Sequence, residues 1–299
     1  MRLLKRVLTA AVLVPIVLLI VFRAPIWLFA IVVGLIALQT TREYLDIVER
    51  YELRPFRVAT YLFLAIIFAL AIWIDTSDPY RPPPKDLYYF ALLFGVSVLV
   101  VLTAAMARDD LRSALPAAAA SLLALIYIVL PLFALVSIRT NDLGWFAMLV
   151  LLVIVWVGDI SAFFVGRSLG RHKLAPRISP NKTWEGAIAS IIAAVVAAVL
   201  LYRFYPQIAT ALAAVHLTDI SSGQPLPMKL WQVAVLAGGV NIAAQLGDLV
   251  ESMMKRGAGV KDSGGILPGH GGMLDRIDAL LFAAPVLWYY VLFTSGIGR

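Results

Sequence analysis

The sequence predicts an all-α, polytopic integral membrane protein with about nine transmembrane helices and a cytoplasmic N-terminus. Of its 299 residues, 62% are hydrophobic and only 14% are charged, and the mean hydropathy is +0.90. Soluble domains average about 45–50% apolar and about 25% charged residues. The apolar excess must therefore face lipid. This composition excludes an ordinary soluble enzyme, a disordered chain and a nucleic-acid binder with a solvated basic face.

Nine apolar runs approach the roughly 20 residues that a helix needs to cross a bilayer. They cover residues 7–22, 25–40, 58–74, 87–105, 117–138, 144–165, 186–204, 231–250 and 279–295. The first two are short and would form a tight helical hairpin or a re-entrant pair. The first also resembles a secretory signal, but Arg23 and Pro25 stand where cleavage would occur. We therefore expect an uncleaved helix.

The distribution of basic residues predicts the orientation of these spans. With the N-terminus inside, the inner segments hold 18 of the 25 Lys and Arg residues, as the positive-inside rule requires. The polar loops 166–185 and 251–278 then lie in the cytoplasm. The net charge of +7 indicates topology and contact with anionic lipid, and no nucleic acid is expected as a partner. The chain has no cysteine, which excludes disulfides and thiol chemistry.

We divide the chain into N-terminal transmembrane helices (residues 1–140) and a C-terminal transmembrane region (residues 141–299), in which we expect any catalytic residues because it contains both polar loops. In the first part, Glu43, Asp46 and Glu49 follow helical spacing. We interpret this stretch as a helix that extends into water, with charge pairs at i,i+3 and i,i+4. In the alternative interpretation, its arginines contact anionic head groups.

The first polar loop offers the donors that a phosphate-rich ligand needs. It contains five Lys or Arg residues with glycines and hydroxyls. Asp159, near the end of an apolar span, is a functional candidate unless it reaches the interface. Thr183 binds a ligand or caps the next helix. The candidate substrate-binding residues are Asp159, Arg167, Arg171, Ser179, Asn181, Lys182, Thr183, Glu185 and, from the second loop, Ser252.

A polar stripe marks the eighth span, because Asn241, Gln245, Asp248 and Ser252 share one helix face. Such a stripe faces a water-filled cavity or forms a hydrogen-bonded seam between helices. A run with seven glycines (residues 257–272) follows, where backbone amides can approach a ligand closely.

Asp275 and Asp278 then open the last span. They either stabilise the helix dipole or join Asp248 at the cytoplasmic side. Three carboxylates with bases nearby would suit Mg²⁺ that bridges protein and polyphosphate. His270 could titrate or donate a hydrogen bond to a phosphate.

These residues resemble the signature of the phosphatidate cytidylyltransferase (CDP-diacylglycerol synthase) family. The run 179–186 resembles a second block of the same family. The signature positions are Ser252, Met254, Lys255, Arg256, Lys261, Asp262, Gly264, Leu267, Pro268, His270, Gly271, Gly272, Met273, Asp275, Arg276, Ile277 and Asp278.

The resemblance implies that CTP and phosphatidic acid are converted to CDP-diacylglycerol and pyrophosphate. The compact chain and the lack of a transit peptide lead us to expect a bacterial inner membrane. The resemblance places metal binding on Asp248 and Asp275, helped by Asp278. The cofactor would be Mg²⁺, either alone or together with a second, monovalent cation. The partners would be CTP, phosphatidic acid and membrane lipids; the sequence does not fix the oligomeric state, and a homodimer would suit a shared cleft. The candidate catalytic residues are Lys255, Arg256, Lys261, Asp262, His270 and Arg276.

Two other functions compete with this prediction. A CTP-dependent polyprenol or phytol kinase would use the same nucleotide and metal chemistry but phosphorylate an alcohol. A secondary transporter of a phosphorylated solute would use Asp159 and Asp248 as coupling sites, although such sites usually lie near the bilayer midplane. A CDP-alcohol phosphotransferase fits less well, because its Asp-Gly-x2-Ala-Arg start is missing.

Overall fold

The computed structural model describes residues 14–77, 84–141, 143–218, 228–266 and 271–297. Ten helices and two short strands account for most of this part of the chain. The helices are α1 (Val14–Arg23), α2 (Ile26–Glu49), α3 (Arg57–Ser77), α4 (Pro84–Met106), α5 (Leu111–Arg139), α6 (Gly144–Ser168), α7 (Trp184–Arg203), α8 (Tyr205–Ala214), α9 (Leu230–Gly257) and α10 (Leu274–Ile297). The strands are β1 (Lys173–Ala175) and β2 (Ser179–Thr183).

Seven of the described helices are long and apolar enough to cross a membrane, and two shorter apolar helices accompany them. The seven are α2, α4, α5, α6, α7, α9 and α10, and the shorter two are α1 and Arg57–Trp73 of α3. The prediction of a helical integral membrane protein is therefore confirmed. The count of nine spans and the inward N-terminus stay predictions.

Helix α5 is enclosed by protein, whereas the other long helices leave much of their surface for lipid. In its most apolar window 78% of the residues are buried, against 22–44% in the other six. Its N-terminus is capped by Asp110, whose side chain accepts a hydrogen bond from the Arg112 amide. A π-helical segment, Leu125–Val129, interrupts its α-helical hydrogen bonding.

The described chain divides into two compact units that do not follow chain order. The first comprises Met1–Pro25, Ile138–Met253 and Asp278–Leu287. Within it, α6 and α7 form an antiparallel hairpin, and polar side chains join both helices to α9. Arg139 donates a 2.6 Å hydrogen bond to the Val21 carbonyl, which satisfies an acceptor at the end of α1.

The second unit comprises Ile26–Ser137, Met254–Ile277 and Trp288–Arg299. Its helices are joined by Tyr44, which donates to the Ala120 carbonyl, and by the Phe56 amide, which donates to Ser121 Oγ at 2.7 Å. Arg57 forms ion pairs with Asp46 and Glu49 at the C-terminal end of α2. The predicted boundary near residue 140 stays a prediction.

Candidate functional site

The first polar loop is a β-hairpin, which the sequence did not predict. Strand β1 pairs antiparallel with β2, so that Lys173 lies opposite Thr183. Thr183 ends the hairpin and begins α7, because its Oγ1 accepts a 3.2 Å hydrogen bond from the Gly186 amide. Of the two interpretations of Thr183, the helix cap is therefore the one seen here.

Three glycines around Thr183 let the end of α6 approach the start of α7. A Cβ on Gly166 would lie 3.1 Å from Thr183 Oγ1, and one on Gly170 would lie 2.7 Å from Thr183 Cγ2. On Gly186, a Cβ would lie 2.8 Å from the Ala162 carbonyl oxygen. Tight packing accounts for these glycines, which the sequence analysis had counted toward ligand binding.

A cluster of three charged residues and one serine, here called the Asp248 cluster, consists of Asp159, Lys182, Asp248 and Ser252. Lys182 Nζ lies 2.7 Å from Asp248 Oδ2, and Ser252 Oγ donates a 3.4 Å hydrogen bond to Asp248 Oδ1. Asp159, from α6, interacts electrostatically with Asp248 and Lys182. The loop, α6 and α9 thus bring two carboxylates and one cation together. The Lys182 and Asp248 side chains remain 25% and 38% exposed, so a ligand can reach them.

The polar stripe of α9 divides into two parts with different surroundings. Asn241 and Gln245 form the seam that was one of the two predictions: Ser190 donates to Asn241 Oδ1 at 3.1 Å, and Gln245 donates to the Ala187 carbonyl at 3.2 Å. Asp248 and Ser252, one and two turns further on, belong to the Asp248 cluster. The stripe is therefore structural at one end and chemically available at the other.

The remaining candidates of the first loop differ in exposure. Glu185 is tied to His172, whose amide and Nδ1 lie 3.2 and 2.7 Å from Glu185 Oε1. Ser179 is half-buried in β2. Arg167, Arg171 and Asn181 are exposed, where they can contact an anionic ligand.

A second cluster, the Asp275 cluster, consists of Lys255, Ser263, Gly272 and Asp275. Lys255 Nζ lies 2.5 Å from Asp275 Oδ1, and the two side chains are only 11% and 7% exposed. Asp275 Oδ2 accepts hydrogen bonds from the Ser263 amide at 3.0 Å and the Gly272 amide at 2.7 Å. Asp275 thus holds the loop together as well as being a candidate ligand.

Around this cluster, three bases and one acid predicted to act on substrate are exposed: Arg256, Lys261, Asp262 and Arg276. Asp278 Oδ1 accepts a hydrogen bond from the Ala279 amide, and its backbone carbonyl closely approaches Gly247. His270 lies outside the described residues.

Metal binding stays a prediction. In the part of the chain that the structure describes, no group of three or more His, Cys, Asp or Glu residues is arranged to hold a metal ion. Asp248 and Asp275 each have a lysine ammonium beside them. A cation that binds either carboxylate would share it with that lysine or displace it.

Comparison with known proteins identifies the family. The model of the cytidylyltransferase family matches residues 4–294. The chain belongs to this family. Membership agrees with the resemblance drawn from the signature residues 252–278, and the match extends it over the N-terminal helices.

Several curated relatives in the family carry the name phosphatidate cytidylyltransferase. That of Brucella suis is 44% identical over 147 residues, which is 49% of this chain and 47% of the relative. That of Haemophilus influenzae is 41% identical over 150 residues, 50% of this chain and 47% of the relative. That of Bacillus subtilis is 39% identical over 174 residues, 58% of each chain. The chain spans about half the length of the curated relatives it matches.

The sequence did not predict two residues of this region: Ser263, a member of the Asp275 cluster, and Glu43, which accepts a 2.9 Å hydrogen bond from Ser263 Oγ. The interpretation of the Glu43 stretch as a water-exposed helix is wrong at Glu43, which is 3% exposed. A signal was present, because an acid in a long apolar helix is a functional candidate by default.

Proposed function

We propose that the protein is a membrane-bound phosphatidate cytidylyltransferase, which converts CTP and phosphatidic acid into CDP-diacylglycerol and pyrophosphate. The family match over residues 4–294 carries the proposal, and the names of the relatives support the substrates. The two clusters support it further, because Ser252, Lys255 and Asp275 stand at signature positions and Lys182 lies in the second block, 179–186.

The proposed reaction needs no nucleophile from the protein. An anionic oxygen of the lipid phosphate attacks the α-phosphorus of CTP, a new P–O bond forms, and the bond from the α-phosphorus to the bridging oxygen breaks. Pyrophosphate leaves with that oxygen. Both reactants are anions, so alignment and charge neutralisation should supply most of the rate enhancement.

The exposed bases are suited to this work. Three of them are Arg256, Lys261 and Arg276. They would bind phosphates of CTP or the departing pyrophosphate. Lys182, which is partly exposed beside Asp248, would hold a phosphate of CTP or of the lipid. Asp262 would orient Lys261 or Arg256.

Mg²⁺ is the proposed cofactor, and the donor chemistry fits it, because the acids concerned offer oxygen ligands only. Asp248, Asp275 and Asp278 are the candidate ligands. Bound Mg²⁺ would neutralise negative charge on the CTP phosphates. Lys182 lies beside Asp248 and Lys255 beside Asp275, so bound Mg²⁺ would share each carboxylate with its lysine or displace that lysine.

We further propose that the site faces the cytoplasm of a bacterial inner membrane. CTP is a cytoplasmic metabolite, and the charge asymmetry predicts loops 166–185 and 251–278 on that side. Phosphatidic acid would arrive laterally from the bilayer, with its acyl chains among the apolar helices.

The test is incubation of purified protein with Mg²⁺ and CTP labelled in the cytidine, with and without phosphatidic acid. Label in lipid that requires phosphatidic acid would support the transferase. Labelled CDP without labelled lipid would favour a kinase, and neither product would favour a transporter. Either of these results would overturn the proposal.

Asp275→Asn tests the site within the same assay. We expect lipid labelling to fall by about 100-fold or more, since the carboxylate charge beside Lys255 is lost, while the protein still reaches the membrane. Asp109→Asn, the same change at an exposed acid, should retain wild-type activity. Near-normal activity of Asp275→Asn would remove Asp275 from its proposed role.

A further inference from the structure

Glu43 is a buried acid in the apolar helix α2. Its side chain is 3% exposed, and its carboxylate accepts four hydrogen bonds. Oε1 accepts from Gln39 Nε2 and the Met273 amide, both at 2.9 Å. Oε2 accepts from Ser263 Oγ at 2.9 Å and the Leu274 amide at 2.8 Å. An acid this deeply buried persists only when its oxygens are satisfied in this way.

Two of these donors belong to the start of α10. The first amides of a helix have no partner within the helix, and Glu43 satisfies those of Met273 and Leu274 from a distant part of the chain. The carboxylate also lies at the positive end of the helix dipole. Asp275 follows Leu274 directly, so the position of its backbone depends on this contact.

Ser263 links Glu43 to Asp275 through a second route. Its hydroxyl lies 2.9 Å from Glu43 Oε2 and 3.0 Å from Asp275 Oδ2. Because the hydroxyl has one proton, it donates to one carboxylate at a time. The Ser263 amide donates to Asp275 Oδ2 in addition. The orientation of the Asp275 carboxylate thus depends on a residue that Glu43 holds.

Two glycines make room for the Glu43 carboxylate. A Cβ on Gly264 would lie 2.8 Å from Glu43 Oε1, and a Cβ on Gly272 would lie 2.7 Å from Glu43 Cδ. Approach of the backbone to a buried acid therefore explains these glycines, which the sequence analysis attributed to a bound ligand.

We propose that Glu43 is a positioning residue for cytidylyl transfer, which orients Asp275 by anchoring Ser263 and the first amides of α10. This inference rests on the proposed function. Under this proposal the N-terminal helices help to position a catalytic residue, because Glu43 of α2 binds Ser263, which lies more than 200 residues later in the chain.

Glu43→Gln is the primary variant, because the amide keeps the size of the side chain but turns one acceptor into a donor that faces other donors. We expect kcat per folded molecule to fall roughly 10- to 100-fold, as for other residues that orient a catalytic ligand. The KM for CTP should change much less. Glu43→Asp keeps the charge and should retain more of the kcat than Glu43→Gln.

Hydrogen–deuterium exchange supplies a readout that does not depend on turnover. Peptides that cover 258–266 and 271–277 should exchange faster in Glu43→Gln, while peptides from α6 and α7 stay unchanged. Glu49→Gln is the matched control: it makes the same substitution on the same helix at a side chain that is 48% exposed. It should leave kcat and exchange at wild-type values.

Wild-type kcat in Glu43→Gln, with or without faster exchange, would overturn the proposal. So would an equal loss of kcat in Glu43→Gln and Glu49→Gln. If Glu43→Gln does not fold, Gly264→Ala tests the proposal instead, because its Cβ would displace the Glu43 carboxylate. An unchanged kcat in Gly264→Ala would overturn the proposal. If the wild-type protein itself makes no CDP-diacylglycerol, the proposed function fails, and exchange still shows whether Glu43 anchors the loop.

Discussion

Two lysine–aspartate pairs, one in the Asp248 cluster and one in the Asp275 cluster, differ in burial, and burial decides what each contributes. Lys182 and Asp248 are 25% and 38% exposed. A pair as exposed as this contributes about 0–1 kcal/mol to stability, so the proposed exchange of Asp248 for a substrate phosphate would cost Lys182 little. Lys255 and Asp275 are 11% and 7% exposed, and the loss of one partner would leave the other charge buried.

Lys182→Gln should therefore separate activity from stability. We expect CDP-diacylglycerol formation to fall by roughly 10- to 100-fold, because a cation that faces phosphate is lost. The unfolding free energy should change by less than about 1 kcal/mol. Lys182→Arg keeps the charge and should retain part of the activity. Kinetic assays and thermal unfolding in detergent provide the measurements.

Lys229→Gln is the control for this prediction, since Lys229 is exposed and lies in a segment predicted to face away from the cytoplasm. It should behave as wild type in both assays. Equal activity in Lys182→Gln and wild type would contradict a role for Lys182 in binding phosphate.

The sequence predicted which residues carry charge at the site but not how they pair. Spacing along a helix shows which residues share a face, and it placed Asp248 and Ser252 together. It does not show what packs against that face, so the Lys182–Asp248 and Lys255–Asp275 pairs required the fold. The same limit explains Glu43, whose environment is set by Ser263 and by the start of α10.

At the level of elements, hydropathy predicted where helices occur better than where they end. Each of the nine apolar runs overlaps a described helix, but α2 continues to Glu49 and α9 to Gly257. Hydropathy follows the lipid-facing part of a helix, whereas backbone hydrogen bonds continue into polar residues. The β-hairpin of Lys173–Thr183 lacked a strong alternation of polar and apolar residues, which is the usual signal of a strand.

The polar seam that joins α6, α7 and α9 leads to a stability prediction. A Cβ on Gly158 would collide with Asn241 Nδ2 and lie 2.9 Å from Ser190 Oγ. Gly158→Ala should therefore break buried hydrogen bonds and lower the unfolding free energy by about 1–3 kcal/mol. Reversible unfolding in detergent or bicelles provides the measurement.

Gly239→Ala is the matched control, because a Cβ there meets no atom within 4 Å. In a helix, Ala is favoured over Gly by about 0.8–1.0 kcal/mol, so this variant should be as stable as wild type or more so. If the two variants have the same unfolding free energy, the hydrogen bonds of the seam do not contribute the stability inferred from their geometry.

For the molecule as a whole, the charge distribution determines which side of the membrane can supply substrate. The inner segments are predicted to hold 18 of the 25 bases, and the bases of both candidate clusters are among them. If the orientation were reversed, these bases would face away from cytoplasmic CTP. The proposed function therefore depends on the predicted topology, although the sequence evidence for the two is independent.

The absence of cysteine from the 299 residues makes this topology directly measurable, because a single introduced thiol is the only one present. Asp109→Cys, between α4 and α5, should react with an impermeant maleimide only after the cells are permeabilised. Ala214→Cys, at the end of α8, should react in cells whose outer membrane has been removed while the inner membrane stays intact. Both positions are exposed, so a difference in labelling would reflect the side of the membrane rather than burial. The opposite pattern would place the bases of both clusters on the outer side, where CTP is not supplied, and would contradict the N-in orientation and the proposed use of cytoplasmic CTP together.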